Sequence, residues 1–369
     1  MPVTYWVMDD AEREARRRRR EEWALDALAR QTAVVDDLEA RAADPLRWLA
    51  LRRQALSYLR HLDTWQQGRA FSEMSDVLDA HQRSLQDRVA AAESELAGMD
   101  HVERRHLEGR LGLRLAVIGK GGAGKTVISS TLARLLARQG RKVLAVDMDT
   151  NPGLAFSIGL EAAGGDHGLS LDALEESPGA AYGWQLRSGL LPREAVERFA
   201  VPAPDGVAFL SMGKIGEVDP GPERPSERSD KSSAKRTVVA VIQILLGFGE
   251  PGWDVIGDLE AGPTTPFERY HAFSDDVMVV VGPAWRSALT ARRLLPMVGD
   301  GRRTTIVANR FRNEPDHPGL VPRIRIPFDP EVAEAERHGL SPLDVCPESP
   351  AIRAIAQVAE LFVSQEVPV

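Results

Sequence analysis

The chain has 369 residues, 43% of them hydrophobic and 27% charged, with a formal net charge of −8. That is enough chain for one large domain and a smaller one around a substantial core, and the charge gives no global attraction to nucleic acid or anionic lipid. A single cysteine, Cys346, excludes an intrachain disulfide framework, and no run of about 18 apolar residues is present to span a membrane. Charge runs through residues 9–22 with no signal-like apolar region, so the expected location is cytoplasmic.

Residues 1–110 hold almost no glycine and repeat their apolar residues at helical spacing. A first helix is predicted from Asp9 to Ala42, with Trp23, Leu28, Val35 and Leu38 near one face. Asp44-Pro45 reads as an N-cap followed by proline at the first helical position. It opens a second helix that carries Leu46, Leu49, Leu56, Leu59 and Leu62. A third is predicted from Ser72 to Leu107, with Met74, Leu78, Leu85, Val89, Leu96 and Met99. Three such helices predict a bundle or antiparallel coiled coil whose stripes pack among themselves. The run Arg16–Arg20 sits among Asp9, Asp10, Glu12, Glu14, Glu21 and Glu22, and reads as a solvated, self-paired helix face rather than a nucleic-acid patch.

From Leu111 strands and helices alternate, which predicts an α/β domain over 111–369 with a mostly parallel sheet flanked by helices. Leu113 to Ile118 is almost wholly apolar, like a buried strand. Gly119-Lys-Gly-Gly-Ala-Gly-Lys-Thr126 fits the phosphate-binding pattern G-x-x-x-x-G-K-[ST]. Thr126 to Gln139 then places Ile128, Leu132, Leu135 and Leu136 on one helical face, with Gly140 as its stop. In a strand–loop–helix of this kind the backbone of Gly119, Gly121, Gly122, Ala123 and Gly124, running on into Thr126 and Val127, cradles phosphate oxygens at the helix N-terminus. Lys125 would reach the β- and γ-phosphates, and the Thr126 hydroxyl would ligate Mg²⁺.

Further along, Arg141-Lys-Val-Leu-Ala-Val146 leads into Asp147-Met-Asp-Thr-Asn-Pro-Gly153. Residues 161–235 are the least legible, with a strand-like Gly206–Gly213 and a polar, proline-rich loop from Asp219 to Ser233. Val238 to Phe248 reads as a buried helix. Trp253-Asp-Val-Ile-Gly-Asp258 reads as a strand ending in aspartate, with Gly262 four residues on. Val277 to Val281 is the next buried strand, Ser287 to Leu295 begins a helix, and Thr305 to Asn309 is a strand ending in asparagine. The last helix, Ala351 to Val363, groups Ile352, Ile355, Val358, Leu361 and Phe362. Its only basic residue is Arg353, so it is expected to pack on the core and not to bind membrane. Residues 286–325 hold nine Arg against three Asp or Glu, a surplus that could contact phosphates. No aromatic interleaving accompanies it, so DNA is not the expected partner.

The second lysine of the loop, Lys120, makes Gly119–Thr126 resemble the deviant loop of the MinD/ParA group of ATPases. The resemblance implies a P-loop NTPase fold, ATP and Mg²⁺ as ligands, and a homodimer in the ATP state. It implies that Lys120 crosses the dimer interface to the phosphates of the other subunit. It places Asp147 in the magnesium and phosphate neighbourhood, assigns Asp149 to positioning the attacking water, and makes residues 149–153 a first switch. Asp258 would hold Mg²⁺ through water, and the N–H of Gly262, which has no side chain to block the approach, would sense the γ-phosphate. Asn309 would hydrogen-bond the adenine, with the backbone around Pro327 lining the base from the other side.

Asp258-Leu-Glu-Ala-Gly262, Thr290-Ala-Arg-Arg293, Ile326 to Ala335 and Gly339-Leu-Ser-Pro-Leu-Asp344 resemble one branch more closely: the nickel-inserting ATPases that mature carbon monoxide dehydrogenase. That branch carries a Cys-x-Cys pair after a strand ending in methionine-glycine. Here Met212-Gly213 is followed by Lys-Ile-Gly-Glu-Val-Asp-Pro, without cysteine, and the helical region 1–110 is also outside the pattern. The expectation is a Mg²⁺-ATP-dependent dimerising switch ATPase that regulates or positions a protein complex met through residues 1–110. Metal-centre maturation and a nucleotide-binding scaffold with little turnover are the alternatives.

Overall fold

The structure is a computed structural model that describes residues 9–66, 73–149, 153–160, 169–213, 236–262, 270–299, 301–313, 315 and 317–364. The loop expected from Asp219 to Ser233, and residues 150–152 of the expected first switch, lie outside the described residues.

Helix α1 (Asp10–Ala40) opens on Asp9, whose carboxylate accepts from the Glu12 N–H at 2.7 Å. Within the arginine run, Arg17 and Arg18 both donate to Glu14 of the same helix. Helix α2 (Pro45–Gln66) follows Asp44, which accepts from the Arg47 N–H at 3.0 Å. The third predicted helix is two: α3 (Ser75–Glu95) and α4 (His101–Gly109). The break has a local cause. Gly98 disfavours continuation, and Asp100 caps the new helix by accepting from Val102 N at 2.8 Å and Glu103 N at 2.9 Å.

After β1 (Arg114–Gly119) come α5 (Lys125–Arg138), β2 (Lys142–Met148) and α6 (Leu154–Ile158). The stretch that was least legible forms a small hairpin, β3 (Leu174–Glu176) with β4 (Trp184–Leu186), then α7 (Pro192–Phe199), β5 (Val201–Pro202) and β6 (Ala208–Ser211). Strand β6 falls within the strand-like Gly206–Gly213, and the other elements are too short to show periodicity. The remainder is α8 (Arg236–Gly247), β7 (Trp253–Leu259), β8 (Asp276–Val281), α9 (Trp285–Val298), β9 (Arg303–Phe311), β10 (Ile324–Pro327), α10 (Pro330–Arg337), α11 (Pro342–Val345) and α12 (Pro350–Ser364).

Among the described residues eight strands form one sheet in the order β10-β9-β8-β1-β7-β2-β6-β5. Every pairing is parallel except β5 with β6. Such a sheet must be covered on both faces. On one face α5 and α12 bury Ile128, Leu132, Ile355 and Phe362; on the other, α8 and α9 bury Val241, Ile244, Ala291 and Leu294. The C-terminal helix therefore packs on the core.

The helical region does not pack only on itself. Leu28, Val35, Leu51, Leu62, Leu78 and Leu85 form one cluster that also takes in Leu191 and Leu246 of the α/β part. Polar ties accompany it. Arg53 and Arg60 reach the Asp275 carboxylate at 2.6 and 2.9 Å, and Gln54 donates to Leu246 O at 2.6 Å. Arg114, 3% exposed at the start of β1, donates to Gln54 Oε1 and Phe248 O. The bundle is thus a further layer over α8.

Candidate functional site

The site forms where the carboxyl ends of β1, β7 and β2 lie side by side, the place where an open parallel sheet binds its ligands. Strand register sets the geometry: Val117 of β1 is opposite Asp258 of β7, and Asp258 is opposite Asp147 of β2. The loop 119–126 joins β1 to α5 across this edge. Gly124, at φ +89°, ends the loop in the left-handed region that glycine tolerates. A Cβ there would sit 2.2 Å from Asn309 Nδ2. A Cβ on Gly119 would meet Val280 O at 2.5 Å, whereas Gly122 faces open space. The loop is tight where it touches β8 and β9, and open outward.

Lys125 is buried at the head of α5. The Thr126 hydroxyl donates to Asp258 Oδ2 at 2.7 Å, and Ser129, one turn on, donates to Asp258 Oδ1 at 3.3 Å. Asp147 is fully buried. Its Oδ1 accepts from Asp149 N, and its Oδ2 accepts from Gly153 N and Leu154 N at 3.0 and 2.9 Å. It therefore ties down the chain after β2, and its carboxylate is already engaged. Burial raises the Asp147 carboxyl above the usual range, and the neighbouring Asp258 raises it further. Burial also raises Asp258, against the pull of the Lys125 ammonium and the Thr126 hydroxyl.

Hard oxygen donors on Thr126 and Asp258, in contact with each other at the loop, fit Mg²⁺, which takes one or two protein ligands and completes its shell with phosphate and water. Asp149 follows the end of β2 and is close enough to raise the Asp258 carboxyl electrostatically. Lys120 lies in the outer part of the loop, where its ammonium donates to Gly121 O at 3.3 Å. The Gly262 N–H donates to Gly119 O at 3.1 Å, so the chain after β7 is latched to the phosphate loop.

Asn309 and Pro327 lie on the other side of the α5 N-terminus. With Val127, Phe328 and Val332 they line a cavity of about 360 Å³. Asn309 is buried, and its amide donates to Ala123 O at 2.8 Å, so it braces the loop from behind. The sequence reading missed its neighbour Arg310. At φ +63° this residue turns back over the loop, donating to Gly122 O at 3.1 Å and pairing with Glu336 of α10. No local pattern marks an arginine for the left-handed region; only its place beside the strand-end asparagine could have drawn notice.

Among the described residues no helix is long and apolar enough to cross a membrane. Residues 115–343 match the CobQ/CobB/MinD/ParA nucleotide binding domain, and the match leaves α1–α4 outside it. An uncharacterised ATP-binding protein of Methanocaldococcus jannaschii is 28% identical over 239 residues, covering 61% of this chain and 88% of that protein. The carbon monoxide dehydrogenase accessory protein CooC of Rhodospirillum rubrum is 28% identical over 251 residues, 64% of this chain and 91% of that protein. Among solved structures, the cell division ATPase MinD of Pyrococcus furiosus aligns over 68% of this chain and 98% of its own, at 22% identity and a TM-score of 0.49.

Proposed function

The chain belongs to the CobQ/CobB/MinD/ParA nucleotide-binding family, and we propose that it is a Mg²⁺-ATP-dependent switch ATPase that dimerises with ATP bound and regulates or positions a partner protein complex. The observation that carries this reading is the contact of the Thr126 hydroxyl with Asp258 at the mouth of a complete phosphate loop. Bound Mg²⁺ would supply charge neutralisation to the phosphates. The loop amides and Lys125 bind and orient the phosphates, Thr126 and Asp258 hold the metal, and Asp149 orients the attacking water. Lys120 reaches the phosphates of the other subunit. The cavity beside Asn309 and Pro327 receives the base. The latch from Gly262 to Gly119 opens when the γ-phosphate competes for that N–H, so nucleotide state moves the chain after β7. Such a switch shifts its equilibrium only by the difference in ATP affinity between its two states. The helical region 1–110 reads out that state to the partner.

Calorimetric titration and phosphate release test the reading together. Lys125→Ala should lose ATP binding, while Asp149→Ala should bind ATP and lose turnover. Tight ATP binding by Lys125→Ala would remove the proposal. Lys120→Ala should bind ATP yet stay monomeric by light scattering with a non-hydrolysable analogue; a surviving ATP-dependent dimer would return Lys120 to its own loop.

The likeness to the carbon monoxide dehydrogenase accessory protein favours a second reading, metal-centre maturation. Against it stands the cysteine-free stretch after Gly213, because sites selective for nickel draw on sulfur and imidazole. Elemental analysis of the ATP-locked dimer decides: one nickel per dimer would promote the second reading over the first.

A further inference from the structure

Two consecutive residues near the end of β9 hold two consecutive carbonyls of the phosphate loop. Asn309 donates to Ala123 O at 2.8 Å, and Arg310 Nη1 donates to Gly122 O at 3.1 Å. The other arm of the guanidinium, Nη2, pairs with Glu336 of α10. A Cβ on Gly124 would lie 3.4 Å from Arg310 Nε, so the side chain covers the loop from Gly122 to Gly124.

The backbone aims it there. In a regular strand residues 309 and 310 would face opposite sides of the sheet. Strands β9 and β10 keep regular register as far as Asn309 opposite Ile326, but Pro327 is then opposite Phe311. Arg310 is the residue left over, a bulge in β9 beside a proline that has no N–H for the ladder. It absorbs the extra residue at φ +63°, a conformation unfavourable for a residue with a Cβ. Such residues persist where their surroundings over-determine them, and bulges re-aim side chains beside functional sites. Here the bulge turns Arg310 to the same loop as Asn309.

A trans peptide carries its C=O and N–H on opposite sides. Carbonyls of Gly122 and Ala123 drawn toward β9 therefore leave the amides of Ala123 and Gly124 directed away from it. The Ala123 N–H donates across the loop to Lys120 O at 3.1 Å. The same pull keeps two partial negative charges from facing an anion in the loop.

We propose that Arg310 is a positioning residue for nucleotide binding: braced on Glu336, it holds the Gly122 carbonyl outward and so keeps the phosphate loop in its anion-binding form. The proposal rests on the reading of this loop as an ATP site. Arg310 also lines the cavity beside Asn309, so the test separates an action through the loop from a contact with the base.

Mg²⁺-ATP is titrated calorimetrically into the full chain, and Mg²⁺-tripolyphosphate, which has no base, is measured by competition. Glycine adopts the left-handed conformation freely, so Arg310→Gly should melt no lower than the unaltered protein while binding both ligands about tenfold more weakly. Arg310→Lys keeps a donor and should recover part of that loss. Glu336→Gln should weaken ATP binding about threefold in the unaltered background and not at all in Arg310→Gly. Unchanged ATP affinity in Arg310→Gly, with binding still lost in Lys125→Ala, would overturn the proposal and leave the ATPase reading standing. No ATP binding by the unaltered chain would remove both. Weakening for ATP alone, with tripolyphosphate unaffected, would assign Arg310 to the base and overturn its action through the loop. An effect of Glu336→Gln that persists in Arg310→Gly would overturn the brace.

Discussion

Replacing Asp258 with asparagine should make the nucleotide-free protein more stable at neutral pH, although it removes a residue of the site. Asp258 and Asp147 are opposite each other on adjacent strands, and both are buried. Two carboxylates at the roughly 5 Å spacing of neighbouring strands repel by about 3 kcal/mol at an effective dielectric of about 20. Lys125 lowers the Asp258 carboxyl and so offsets part of this, leaving a gain of about 1–2 kcal/mol for Asp258→Asn. Asparagine can keep the contact from Thr126 through its oxygen. The pH dependence identifies the cause. A carboxyl whose folded pKa is raised above its unfolded value costs stability as pH rises through that window. The variant and the parent should therefore match near pH 4, where both carboxyls are protonated in the fold, and diverge toward pH 8. Urea unfolding with chelator at both pH values measures this, and added Mg²⁺-ATP should then stabilise the parent and not the variant. A variant less stable than its parent at pH 8 would refute the claim of like-charge repulsion in the empty site.

The remaining expectations follow from the loop and the docking of the helical layer. Gly124→Ala would place a Cβ against the Asn309 amide in a left-handed conformation, which should cost about 1–3 kcal/mol and weaken ATP binding at least about tenfold by calorimetry; unchanged affinity would show that the loop can relax. Burial alone would raise the Asp275 carboxyl, but Arg53, Arg114 and Arg60 outweigh it and hold it at about 2. Its stabilising contribution should be present above about pH 4 and drain away toward pH 2, because a lowered folded pKa favours the ionised fold. Asp275→Asn should cost about 1–3 kcal/mol at pH 7, less than a fully buried pair because its side chain is 28% exposed. The same variant should flatten the acid limb of the stability curve measured by urea titration; an unaltered limb would assign the acid sensitivity elsewhere.

Much of this was legible in the residues themselves. The phosphate loop, the strands before it and after it and the bundle helices announced themselves because each rests on short-range chemistry. Glycine supplies conformations that a tight loop needs, apolar periods of 3.6 residues make helices, and apolar runs between turns make buried strands. The break at Asp100 belonged to the same class of signal, a cap after a glycine, and was hidden only by apolar residues that kept helical spacing across it.

Other features depend on which distant segments the topology brings together. Asp147 and Asp258 are neighbours because β7 inserts between β1 and β2. Asp147 has its oxygens filled by the backbone of its own loop, which neither residue type nor spacing reveals. Arg310 reaches the phosphate loop only through a positive φ, and Asn309 braces Ala123 only because β9 lies beside β8. The docking of the bundle belongs here as well. Its apolar stripes were visible, but a stripe records that a face is buried and not what buries it. That was decided by the surface of α8 and by Asp275, which no local pattern could connect to Arg53 and Arg60. Periodicity and loop chemistry act over a few residues and survive in the sequence, whereas pairing between remote segments exists only once the chain has closed on itself.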